Sequence, residues 1–151
     1  MTPTLMGRWQ TRIILFFIVG LPVTLLFALA WTRDFSDPGF TMVFLVLMTI
    51  FLVGMVLDPA YILVQSLRWE NDWPFAFQLF FSICEFLVVL ALIAADWLPF
   101  AHASVIDDPE MRKMLFSHFA VVVTFSILAL LGPLQVFLPR WRYKGGEVGR
   151  L

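Results

Sequence analysis

Phe40–Leu57 reads FTMVFLVLMTIFLVGMVL, 18 residues without a charge, closed by Asp58 and Pro59. A helix needs about 20 mostly apolar residues, at about 1.5 Å each, to cross about 30 Å of hydrocarbon. The run is apolar at odd and even positions alike, so it lacks the period-2 alternation of a membrane β-strand. It reads as a spanning helix. Three further stretches read the same way. Ile13–Trp31 holds 19 uncharged residues, Trp73–Ala95 is interrupted only by Glu85, and Met114–Leu138 carries no ionised group when His118 is neutral. The expected fold is an all-α integral membrane protein: a four-transmembrane-helix bundle of one domain, 1–151, with spans at about 13–31, 40–67, 73–95 and 114–138.

Composition agrees. Hydrophobic residues make up 61% of the chain and charged residues 14%, against roughly 25% charged in a soluble domain whose whole surface must be wetted. A net charge of −1 gives no basic surface for nucleic acid. Cys84 is the single cysteine, which excludes an internal disulfide and a cysteine-based zinc or iron–sulfur site.

The connections set an orientation. Arg8, Arg12, Arg68, Arg140, Arg142, Lys144 and Arg150 fall on one side, seven in all, against Arg33, Arg112 and Lys113 on the other. The positive-inside rule then puts both termini in the cytoplasm, in a plasma or other energy-transducing membrane. Trp9, Trp31, Trp69, Trp73, Trp97 and Trp141 all lie at expected span ends. Amphipathic rings are enriched there, at headgroup depth. Arg140 and Arg142, within Arg140-Trp-Arg-Tyr-Lys144, should anchor at an anionic surface, and Gly7-Arg-Trp-Gln-Thr-Arg12 mirrors them on the same side. Arg8 and Arg12 ahead of an apolar run that contains Ala28-Leu-Ala30 also resemble a signal peptide. The run is long for a signal h-region, and the spanning reading is preferred.

Asp58 and Glu85 break the pattern. Glu85 stands near the middle of the third span, where a central charge costs at least a few kcal/mol unless it is paired, hydrated or protonated. Asp58-Pro59 permits two readings. In one, Asp58 caps a new helix that lies along the interface. In the other, the second span continues to Leu67 through a proline kink. The second is preferred because Ala60-Tyr-Ile-Leu-Val64 lacks the polar face of an interfacial helix. A hairpin turning near Asn71-Asp72 then places Asp58 opposite Glu85 and Gln65 opposite Gln78. On each helix the pair is seven residues apart, two turns along one face. Tyr61 and Ser82 fall close to the same stripes. The expected feature is a polar seam, Asp58/Tyr61/Gln65 against Gln78/Ser82/Glu85. Pro22, Pro59 and Pro133 each interrupt a different span in its cytoplasmic half as expected helix kinks, and each removes a backbone hydrogen bond. With Thr24 and Gln135 nearby, they suggest a cytoplasm-open vestibule.

Two adjacent carboxylates in a low dielectric cannot both ionise cheaply. The seam therefore reads first as helix-to-helix glue or a subunit contact, and second as a proton or cation pathway. A bound lipid, pigment or quinone is a third reading, and no cofactor or metal is predicted. His118 reads as a satisfied or interfacial histidine. His102 with Asp107, Asp108 and Glu110 reads as a solvated loop, and Asp108-Pro109-Glu110 as the start of the fourth helix. No nucleophile–base pair, phosphate loop or dinucleotide fingerprint is present, so no enzyme is expected. The expected role is an accessory or scaffold subunit of a membrane assembly, or a homo-oligomer. Its partners would be lipid and other membrane subunits. A carrier or channel using Asp58 and Glu85 is the alternative.

Overall fold

A computed structural model describes residues 4–32, 37–67 and 75–137, the side chains of Phe75, Gln135 and Phe137 aside. Trp69, Trp73, Trp141, Arg140 and Arg142 lie outside the described residues, as do the turn expected at Asn71-Asp72 and the C-terminal tail. The described chain is helical apart from its connections. Its elements are α1 (Leu5–Leu15), a π turn (Phe16–Gly20), α2 (Leu21–Thr32), α3 (Pro38–Ser66), α4 (Phe75–Ala94), α5 (Ala103–Asp107), α6 (Pro109–Leu131) and α7 (Pro133–Phe137). Four helical stretches are long and apolar enough to cross a membrane: Leu5–Thr32, Pro38–Ser66, Ala76–Ala94 and Pro109–Leu131.

Helix starts follow from local chemistry. The Thr4 hydroxyl accepts the Gly7 N–H and opens α1. Asp37 and Asp108 open α3 and α6, each accepting the N–H two residues on, with proline at the first helical position. An N-cap of this kind satisfies a backbone donor that the helix itself leaves unpaired. The reading of Asp108-Pro109-Glu110 as a helix start holds. At the far end of α4 the Ile93 carbonyl accepts from Asp96 and the Leu92 carbonyl from Trp97. Asp96 itself is left-handed at φ 55°. This is a Schellman ending with aspartate in the position usually held by glycine, a conformation its short polar side chain tolerates. The Asp96 carboxylate then accepts the Ala103 N–H at 2.8 Å, which ties the connection to the start of α5.

The three interior prolines are handled differently. α3 runs on through Pro59 to Ser66, so the segment after Asp58 continues the second helix. Pro22 is the second residue of α2, one past Leu21, which closes the π turn by donating to Phe16 five residues back. Pro133 lies beyond the end of α6, separated from it by Gly132, and opens the short α7. The first span-length helix begins at Leu5 instead of Ile13, and this takes Arg8 and Arg12 into the helix.

α2 packs on α3 and α6, α3 on α1 and α4, and α5 on α4 and α6. The apolar core, built from Ala28, Val43, Val46, Val89, Ile93 and Leu115, lies toward the Thr32 and Ala94 ends of the bundle. Phe86 and Phe119 stack beside it at 4.1 Å. Large apolar residues such as Leu26, Leu52, Val56, Phe80, Leu87 and Leu128 face outward.

Candidate functional site: a buried charge cluster

The half of the bundle away from the apolar core is built on charge. Arg8 and Arg12 are one turn apart on α1 and share a face. They point at Asp58 of α3 and Glu85 of α4, whose side chains are 1% and 4% exposed. Arg12 donates from Nε to Asp58 Oδ2 at 3.1 Å and from Nη2 to Asp58 Oδ1 at 3.0 Å. It also donates from Nη1 to Glu85 Oε2 at 2.9 Å and from Nη2 to Glu85 Oε1 at 2.8 Å. One guanidinium thus forks two carboxylates, one on each of two adjacent edges, with both Nη2 hydrogens in use. Bidentate, charge-assisted contacts of this kind are among the strongest polar contacts proteins make. Arg8 Nε adds a bond to Asp58 Oδ1 at 3.1 Å. With both acids ionised, two positive and two negative groups balance.

The guanidinium needs room against α3, and Gly54 supplies it. Gly54 is one turn before Asp58 on the same face. A Cβ there would stand 2.9 Å from Arg12 Nη2 and closer still to Nη1 and Cζ. Glycine at 54 and arginine at 12 are therefore one feature, in which the missing side chain makes the seat for the cation.

The residues expected in the seam are placed as follows. Asp58 and Glu85 meet through Arg12. Tyr61 is buried, with its ring 4.0 Å from Phe81 and the Arg8 Cζ 5.5 Å above the ring centre. That distance suits a cation–π contact. The Tyr61 hydroxyl is buried without a hydrogen-bond partner among the described residues. Gln65 is buried one turn further along α3. Ser82 donates to the Gln78 carbonyl at 2.9 Å, so its proton is used within α4. Gln78 and Ser82 are both half-buried.

Thr24 does not join this group. Its hydroxyl meets His118 Nε2 at 2.8 Å and links α2 to α6. His118 is 1% exposed and packs on Phe27 at 5.2 Å, so it belongs to the core and not to an interface. His102 approaches Asp96 at 3.5 Å, outside the acidic run that follows it. No group of three candidate metal ligands occurs among the described residues. Of the expected anchors, Trp31 and Trp97 are exposed at helix ends, while Trp9 is half-buried on α1.

Three residues of the cluster, Arg8, Arg12 and Gly54, were not expected there. The arginines read as cytoplasmic anchors because they precede an uncharged run. Their spacing of four was the available signal, since two acids at matched depth call for cations on one face of a third helix. No family model matches the chain, and no curated protein or solved structure matches it either.

Proposed function

We propose that the chain is an integral membrane protein that crosses the bilayer four times with both termini in the cytoplasm. It serves as a small accessory or scaffold subunit of a larger membrane assembly or of a homo-oligomer. The carrying observation is the commitment of Asp58 and Glu85 to Arg12. A carrier needs acids that can exchange partners. Here four guanidinium hydrogens hold both acids, and the acids hold α1 against α3 and α4. Chemistry inside the bundle is thereby spent on its shape, which leaves the apolar outer faces and the termini for interaction. Orientation keeps its sign when Arg8 and Arg12 are set aside as internal ions: Arg68, Arg140, Arg142, Lys144 and Arg150 still outnumber Arg33, Arg112 and Lys113.

Gentle extraction followed by native mass measurement tests the role. A stable complex with other membrane subunits, or a defined homo-oligomer, is expected, and a monomer in native lipid would refute it. Labelling of single cysteines placed at 3 and 148, from either side of sealed vesicles, tests the orientation.

A second reading, proton- or cation-coupled transport through Asp58 and Glu85, draws on the buried Tyr61 hydroxyl beside the cluster. It requires liposome flux that Glu85→Gln abolishes. Unchanged flux in that variant ends the reading.

A further inference from the structure

We propose that the surface formed by Gly54, Asp58 and Glu85 is a guanidinium-binding site, of which Arg12 is the resident, tethered ligand. The contacts fit this chemical class more closely than they fit a positive charge in general. A guanidinium is a flat ion whose N–H bonds lie in one plane along its edges. Asp58 takes the edge formed by Nε and Nη2, and Glu85 takes the adjoining edge formed by Nη1 and Nη2. The seat at Gly54 admits the ion only because no Cβ stands there. An ammonium presents three hydrogens in a tetrahedral array and cannot serve two carboxylates through paired edges. The receptor atoms all come from α3 and α4, whereas the ligand comes from α1. The receptor is thus complete without the segment that fills it. On the next turn of α3 the buried Tyr61 hydroxyl still lacks a partner among the described residues, so the surroundings hold a further polar group.

Removal of the Arg12 side chain therefore leaves a site for a small alkylguanidinium. In the unaltered chain the tether gives Arg12 a high effective concentration, and a dilute free competitor does not displace it.

The test uses the full chain in detergent or nanodiscs, its thermal unfolding, and millimolar ethylguanidinium chloride as probe, with ethylammonium chloride as control. Arg12→Ala should unfold several degrees below the parent protein. Ethylguanidinium should recover much of that loss, ethylammonium little of it, and the parent protein should respond to neither. In Arg12→Ala/Gly54→Ala the methyl group covers the seat, and recovery should vanish. If Arg12→Ala does not fold alone, the yield of folded, monodisperse protein prepared with each salt becomes the readout. Equal effects of the two salts, no effect of ethylguanidinium on yield or unfolding of Arg12→Ala, or recovery that survives Gly54→Ala would each overturn the proposal.

Discussion

Replacement of Gly54 by alanine should destabilise the protein, against the usual direction of this change. In a helix interior alanine is favoured over glycine by about 1 kcal/mol, because it restricts the unfolded chain and its methyl group costs nothing. At position 54 the methyl would occupy the place of the Arg12 guanidinium. The guanidinium has to withdraw, and both forks open. Among the described residues every hydrogen bond to the Glu85 carboxylate comes from Arg12, whereas the Asp58 carboxylate retains the bond from Arg8 Nε at 3.1 Å. Removing one partner of a buried ion pair costs about 3–5 kcal/mol. With the propensity gain set against it, the net loss is about 2–4 kcal/mol. Reversible unfolding in mixed detergent micelles, followed by tryptophan fluorescence, measures the difference. The matching measurement is Gly54→Ala in an Arg12→Ala background, where the cost should disappear and the ordinary gain return. Alanine at 54 that is neutral or stabilising in the parent protein would refute the reasoning, because the guanidinium could not then be seated on α3.

Other outcomes follow from the same geometry. In a double-mutant cycle, Arg12→Leu and Glu85→Leu should each be costly while their combination costs less than the sum, since Arg8 and Asp58 remain as a balanced pair. Equilibrium unfolding should show a coupling of about 1–3 kcal/mol. Asp37→Ala and Asp108→Ala should each cost about 1 kcal/mol as lost N-caps, and Asp58→Ala clearly more, although all three aspartates precede proline. Thr24→Val should cost about 1–3 kcal/mol by stripping His118 of its one described hydrogen bond, and His118→Leu/Thr24→Val should recover part of that loss in the same assay.

The four long helices were legible because hydropathy is a summed property. A run such as Phe40–Leu57 needs no knowledge of its neighbours to be recognised. Continuation of α3 through Pro59 was legible for a related reason, the absence of a polar face in Ala60–Val64. The depth match of Asp58 with Glu85 followed from counting back from a turn. What joins them did not, because a charge near the start of an apolar run looks the same whether it lies in a loop or inside a helix. Gly54 was still less legible. Within an uncharged run a glycine reads as filler, and only the position of a side chain 42 residues earlier in the sequence shows what its missing Cβ is for. Thr24 illustrates the converse. Its closeness to Pro22 suggested a place in the cytoplasm-open vestibule, yet its position on α2 turns it toward His118 of α6.

The sequence Asp-Pro occurs at 37–38, 58–59 and 108–109, and the three copies separate what a dipeptide specifies from what its surroundings decide. At 37 and 108 the chain arrives from a connection, the aspartate is extended, and its carboxylate accepts a backbone N–H of the helix it opens. At 58 the chain arrives already helical, and Asp58 is held within α3 with its side chain turned to two arginines. A carboxylate in that setting is costly without a cation, and α1 brings one only because its helix begins at Leu5, ahead of the uncharged run. The π turn at Phe16–Gly20 lies between the arginines and Pro22, and there the helix changes from four-residue to five-residue bonding. The extra residue in that turn alters which side of the helix faces α3 before and after it. Above the turn α2 presents Thr24 and Ala28 to the interior, and below it α1 presents Gly7 and the two arginines. A single irregular turn therefore lets one span-length helix serve an apolar core at one end and an ionic one at the other.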